Sequence, residues 1–247
     1  MQKVLKITGI FLCIALVFLA SAIGYFIQSR KPGQKAQVAL QSSDLVDVSF
    51  NDWLVFSPVE TLPSTGLILY PGTFVDPGAY AEPAHAIAKQ GYLVILVPVP
   101  LSMASLAPDR AAQVQLAFPE IDTWVIGGHS QGAAGASRYV FRNPEAADGL
   151  LLWVGRTLGN DDLSDRDIPV MSLHGTLDRR RPPEIMAEIK LRYPPHTEYI
   201  AIEGGNHIYF GDYNPEDSEP ATISHNEQTE IIVESSVSFL ANITTDN

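Results

Sequence analysis

Residues 123–135 read TWVIGGHSQGAAG, and the reading of this stretch decides the fold. Its first four residues are β-branched or aromatic, as in a buried strand. Its second half is made of small residues that let a helix lie close on a sheet. Between them Ser130 stands two positions from Gly128 and two from Gly132. A sharp strand-to-helix turn needs glycine at both places, because the backbone there approaches itself with no room for a Cβ. The same pattern also arises by chance in loops rich in glycine and serine. Ser130 is therefore a candidate nucleophile only if the rest of the chain supplies a base and an acid in matching places.

Working outward, GLILY at 66–70 and YLVILVPVP at 92–100 are continuous apolar runs of the kind found in strands buried on both faces. AYAEPAHAIAKQ at 79–90 and DRAAQVQLAF at 109–118 have helical composition. After the turn, a helix is expected through Ala136–Arg142, then strands at 149–155 (GLLLWVG) and 169–175 (PVMSLHG). PPEIMAEIKLRY at 182–193 reads as a helix that starts on proline, where the missing N–H is harmless. TEYIAIEGG at 197–205 is the last strand, and 226–243 the last helix. Ahead of all these, the alternation from Val46 in VDVSFNDWLVFSPVE predicts a hairpin. Strands alternating with helices predict an α/β fold: a mostly parallel central sheet with helices on both faces. No long insertion follows Gly155, so no large lid is expected.

A serine hydroxyl needs a base, and the base needs an orienting acid. Of six histidines, His207 is the best base, because it follows the last strand on the Gly-rich loop IEGGNHIYFG. Asp178 ends LHGTLD on the same sheet edge and is the candidate acid. The chain order is then Ser130, Asp178, His207. Rival readings stand beside this one. Asp178 is also a plausible turn residue or a partner for Arg179, Arg180 or Arg181; Glu203 and Asp212 are substitute acids; His225 is the second choice of base. The Gln131 N–H at the helix start and the Thr73 N–H after the strand at 66–70 are candidate oxyanion donors, although Tyr70-Pro71-Gly72-Thr73 is equally readable as a plain turn. Phe74, Met103 and Tyr209 are candidates for the pocket wall.

The chain has 247 residues and a net charge of −12. Residues 1–35 hold five basic side chains and no acid, so the remainder carries −17. Such an acidic domain repels a phosphate backbone, and no nucleic-acid partner is expected. The one cysteine, Cys13, lies outside the domain, and no metal or organic cofactor is implied. Ile7–Ile27 has no charged side chain and is flanked by Lys3 and Lys6 on one side and Arg30 and Lys31 on the other. A helix of that length reaches about 30 Å, the thickness of a bilayer's hydrocarbon core. The expectation is a signal anchor over residues 1–30 that tethers the protein to a membrane, with the domain outside the cytoplasm. A signal peptide cut after Ala20-Ser21-Ala22, which would release the domain, is the alternative. Residues 31–45 read as a polar linker and 46–247 as one domain. No obligate protein partner is indicated.

Over nearly all of 46–243 the chain resembles the α/β-hydrolase superfamily. It looks most like the small lidless group related to dienelactone hydrolases (carboxymethylenebutenolidases). The resemblance is carried by LILYPGTFVDPGAYA, GYLVILVPVP, WVIGGHSQGA, HGTLD and EGGNHIYFGDY. It implies an eight-stranded sheet, and it implies Ser130, Asp178 and His207 as nucleophile, acid and base. Two departures are visible. Dienelactone hydrolases use a cysteine where this chain has Ser130, and Tyr70-Pro71-Gly72 stands where many relatives have His-Gly. The expected activity is hydrolysis of small ester or related acyl substrates. The alternatives are a thioesterase, a peptidase, or a non-catalytic binding protein on the same scaffold.

Overall fold

The computed structural model describes residues 12–14, 16–18, 21, 24–25, 30–213 and 220–246. Eight strands form one sheet: β1 (Val46–Phe50), β2 (Leu54–Pro58), β3 (Thr65–Tyr70), β4 (Leu93–Leu96), β5 (Thr123–His129), β6 (Gly149–Trp153), β7 (Val170–Gly175) and β8 (Glu198–Ile202). Their order is β1-β2-β4-β3-β5-β6-β7-β8. The first two pairings are antiparallel, and the other five, from β4 to β8, are parallel. Every residue of β3, β4, β5 and β6 is buried, as a sheet covered on both faces demands. Alternate residues feed two cores. Leu67 and Leu69 pack with α2 (Ala81–Ala88) and α6 (His225–Asp246), whereas Ile68 and Tyr70 pack with α3 (Arg110–Ala117), α4 (Gln131–Arg142) and α5 (Pro183–Lys190).

β4 is shorter than its apolar run. After Leu96 only Val97 still donates to β3, through Leu69 O at 3.0 Å, and then Pro98 and Pro100 remove the donors a ladder requires. The turn after β5 starts its helix at Gln131, five residues before Ala136.

The expected linker is in fact docked. A short helix, α1 (Gln34–Ala39), lies within residues 31–45 and buries Ala36 completely. The Gly33 amide donates to Asp212 O at 2.7 Å, and the Ala36 amide donates to Asp212 Oδ2 at 2.9 Å. A Cβ on Gly33 would lie 2.4 Å from the Asp212 carboxylate. Arg30 extends the attachment, donating to Thr73 O at 2.8 Å. Hydrogen bonds and a short apolar face of Ala36, Ala39 and Leu40 hold this segment, and two alanines and a leucine in a polar stretch are too weak a pattern to announce it in the sequence.

Most of Ile7–Ile27, the expected membrane span, lies outside the described residues. Among the described residues no helix is long and apolar enough to cross a membrane. Leu12, Ile14, Leu16, Val17 and Phe18 are exposed.

Candidate active site

Ser130 occupies the single position between β5 and α4, with φ 55° and ψ −113°. That is a sterically unfavourable conformation for a residue with a Cβ, and it costs about 1–3 kcal/mol. The surroundings enforce it. A Cβ on Gly128 would come 2.5 Å from the Gly132 carbonyl carbon, and one on Gly132 would come 2.1 Å from Tyr70 O. The Ser130 amide donates to Trp153 O at 2.9 Å. Trp153 is followed by a second strained residue, Val154, with φ 57°. The serine side chain thus stands at the C-terminal rim of the sheet, beside the N-terminus of α4. The Gln131 amide is the first N–H of that helix, where no carbonyl of the preceding turn satisfies it.

The loops after β7 and β8 meet on the same rim. Gly175 lets them touch: a Cβ there would lie 2.3 Å from the Gly205 carbonyl carbon. The Leu177 amide donates to Gly205 O at 2.9 Å. Through this contact His207 Nδ1 reaches Asp178 Oδ2 at 2.8 Å, with both residues buried. The other Asp178 oxygen, Oδ1, accepts from the Arg180 amide at 2.8 Å. The turn reading and the base-orienting reading of Asp178 therefore hold together, one oxygen each. Burial opposes ionisation of Asp178. The His207 hydrogen bond and charge, the Arg180 amide and the Arg181 charge outweigh it and leave the carboxyl below the ordinary range.

Two further groups hold the His207 loop, and sequence reasoning missed both. Asn206 Oδ1 accepts from the Ile208 and Tyr209 amides at 3.0 and 2.9 Å. The Asn206 backbone is clasped by Gln228, whose Oε1 accepts from the Asn206 amide and whose Nε2 donates to its carbonyl. The second group is a relay through His129. The Gly72 amide donates to Tyr80 Oη at 3.0 Å, Tyr80 Oη lies 2.9 Å from His129 Nδ1, and His129 Nε2 lies 3.0 Å from His207 O. A carbonyl only accepts, so Nε2 carries the proton, Nδ1 accepts, and the Tyr80 hydroxyl donates to it. Burial, then the neighbouring His207, Arg181 and Arg180 charges, hold the His129 pKa well below the ordinary value and keep the ring neutral. This relay joins the turn after β3, the residue before Ser130 and the His207 loop. The only signal in the sequence is a histidine adjacent to the serine.

The remaining candidates fall as follows. Thr73 and Phe74 form the centre of a turn closed by the Val75 amide on Gly72 O, and Phe74 has φ 60°. The Thr73 carbonyl faces Arg30, and neither the Thr73 nor the Phe74 amide donates to an acceptor among the described residues. Met103 sits between two short 3-10 turns, next to Ala104, which packs where Gly135 of α4 leaves room. The Tyr209 ring meets the His225 ring edge-on at 5.3 Å. His225, the second choice of base, is engaged away from Ser130, with Nε2 3.2 Å from Gly211 O and Nδ1 3.7 Å from Glu82. Asp212 is committed to α1, and Glu203 is exposed. Among the described residues no cluster of ligating side chains suits a metal ion.

Comparison with solved structures finds the same architecture. A hyperthermophilic esterase from the archaeon Pyrobaculum calidifontis aligns over 90% of this chain and 93% of its own, with a TM-score of 0.65 and 13% identity. Dienelactone hydrolase from Anabaena variabilis aligns over 80% and 98%, with a TM-score of 0.63 and 10% identity. An esterase from the planctomycete Thermogutta terrifontis aligns over 86% and 94%, with a TM-score of 0.58 and 14% identity. At such identities the likeness is one of fold. No curated protein sequence matches the chain. The model of the alpha/beta hydrolase family, however, matches residues 66–230, a span that takes in the strained serine, the buried aspartate and the histidine bonded to it. By that match, and by the sheet order and elbow that accompany it, this chain belongs to the alpha/beta hydrolase family.

Proposed function

We propose that this protein is a serine hydrolase that cleaves esters of small molecules through Ser130, His207 and Asp178. The observation that carries the reading is one rim of the sheet holding both a serine in enforced strain and a buried histidine–aspartate pair at 2.8 Å. The short contact between His129 Nε2 and His207 O, 3.0 Å, ties the base loop to the residue preceding the serine. In this reading His207 Nε2 takes the Ser130 proton as Oγ attacks the ester carbonyl, and Asp178 holds the Nδ1–H tautomer and stabilises the imidazolium that forms. The oxyanion is received by the Gln131 amide and by one of the two amides of the 72–75 turn that have no acceptor among the described residues, Thr73 in the sequence reading. Each such donor contributes about 3–4 kcal/mol to transition-state stabilisation. His207 then returns the proton to the leaving alcohol, and water, activated by the same histidine, releases the acid from the acyl-enzyme.

The test is labelling of the folded protein with a fluorophosphonate probe, together with hydrolysis of a p-nitrophenyl ester series. Wild type should label and turn over; Ser130→Ala should do neither, with kcat lower by about four to six orders of magnitude. An unlabelled, inactive but folded wild type would instead identify a binding protein on a hydrolase scaffold. Faster turnover of a thioester or a peptide than of any ester would reassign the substrate class. The uncharged run Ile7–Ile27 with its basic flanks supports a membrane tether, which carbonate-resistant sedimentation of the full chain would check.

A further inference from the structure

A cavity of about 390 Å³ lies between α5 and the end of β7, away from the Ser130 elbow in its lining residues. His174, Thr176, Asp178 and Arg181 form one wall, and α5 contributes the other. The helical wall is Pro183, Met186, Ala187 and Lys190, whose spacing of three, four and seven puts them on one face. The acids of the same helix, Glu184 and Glu188, are exposed and off that face.

Two wall nitrogens, His174 Nδ1 and Arg181 Nε, are buried with no hydrogen-bond partner. Such groups are rarely left unpaired in a folded protein. Arg181 is fixed in place, since Nη1 donates to Arg180 O at 2.8 Å and Nη2 to Val154 O at 3.2 Å, so its Nε is left over by geometry. Lys190 adds a second cationic group beside Arg181, its Nζ standing 4.7 Å from the centre of the Tyr199 ring. The lining carboxylate, Asp178, has Oδ2 committed to His207 and Oδ1 to the Arg180 amide. Burial, and after it the Lys190 charge, disfavours a proton on His174; the Asp178 carboxylate opposes this and the Arg181 charge adds to it, and the net shift is downward. Arg181 and Lys190 thus line one cavity in a chain whose net charge is strongly negative.

The remaining wall is apolar. A bare inorganic anion would leave Met186, Ala187 and Pro183 facing empty space, and an uncharged ligand would leave the nitrogens unpaired. The volume is at the lower end of small-molecule sites. We propose that this cavity binds a short-chain monocarboxylate. Its head would be held by Arg181, His174 and Lys190, and its carbon chain would lie against Met186, Ala187 and Pro183. The proposal stands without the ester-cleaving reading, although the ligand is of the class that ester cleavage releases.

Calorimetric titration of the folded full chain with butyrate tests it, with butyramide and inorganic phosphate as comparison probes. Butyrate should bind saturably, butyramide should not, and phosphate should bind more weakly than butyrate. Lys190→Gln, at an exposed position that does not threaten folding, should weaken butyrate binding about five- to tenfold. His174→Leu should abolish it. Absent butyrate binding, equal binding of butyramide, tighter binding of phosphate, or butyrate binding unchanged in Lys190→Gln would each overturn the proposal. The readout is heat of binding, so an inactive protein can still pass or fail.

Discussion

Where the central parallel strands end, four residues other than glycine hold a positive φ: Phe74 after β3, Ser102 after β4, Ser130 after β5 and Val154 after β6. Where the same strands begin, the described residues show positive φ only at Gly91, just ahead of β4, and a glycine there bears no steric penalty. Both ends are covered by the same helices and fed by the same cores. The difference lies in what each rim must do. A loop that only reverses the chain takes whatever conformation is cheap. A loop that must aim a hydroxyl, free an amide or pass beneath another loop is held away from its minimum by close packing around it. Strain of about 1–3 kcal/mol per residue on one rim only is a mark of the functional end.

The comparison breaks most decisively at Asp178. Asparagine there keeps an oxygen for the Arg180 amide but offers an N–H toward His207, which selects the wrong tautomer. Asp178→Asn should lower kcat for a p-nitrophenyl ester by about 10⁴ with little change in melting temperature. A loss below tenfold would show that the 2.8 Å contact is structural only. The next test sets the two rims against each other. A Cβ on Gly132 would meet backbone oxygens at 2.1 and 2.6 Å, so Gly132→Ala should destabilise by about 3–5 kcal/mol. Gly91→Ala meets nothing nearer than 3.6 Å and bears only the φ penalty, roughly 1–2 kcal/mol. Urea denaturation of both variants reads the contrast, and equal losses would remove it.

Much of this rim is legible in the sequence, because burial on both faces writes strands as unbroken apolar runs and the elbow writes itself in glycines. Asp178 and His207 are legible for a related reason: each follows a strand, on the rim where the parallel strands end. What the sequence hides is held by single polar contacts. α1 is fastened by Asp212 and by the small apolar face of Ala36, Ala39 and Leu40, a periodicity too short to stand out from the polar residues around it. Gln228 grips the Asn206 backbone from a helix distant in the chain, and a glutamine in a helix looks like any solvated residue. Pocket-wall residues such as Tyr209 are hidden too, because side-chain direction in a loop depends on neighbours such as His225 that only the fold supplies.

The relay through Tyr80 sharpens the comparison at smaller scale, since it joins three loops of the strained rim. Tyr80→Phe removes one hydroxyl and leaves the Gly72 amide and His129 Nδ1 unpaired in a buried place. The expected loss is about 1–3 kcal/mol of stability. A part that only supports the fold would leave kcat of the folded variant unchanged. A part that positions the His207 loop should lower kcat about tenfold with KM little altered, which steady-state kinetics below the melting transition would separate.

The smallest effect concerns protons on that same relay. His129 is buried and neutral, its folded pKa well below the 6.5 of an exposed histidine. A depressed histidine pKa means that the unfolded chain binds a proton the native protein refuses. Its contribution to stability is therefore complete above about pH 6.5 and is lost as pH falls below that value. The limiting slope for one such proton is about 1.4 kcal/mol per pH unit. His85 and His174 are depressed in the same direction, burial being the first cause in each, so they add to the slope without belonging to the relay. Unfolding free energies measured from pH 7.5 down to pH 5 should fall steeply in wild type and less steeply in His129→Gln, even though the variant starts lower. Parallel slopes would mean that His129 takes up a proton in the native protein. The carbonyl of His207 would then still have its donor, but Tyr80 could no longer donate to Nδ1, and the link from the turn after β3 to the base loop would have to run in the opposite hydrogen-bonding sense.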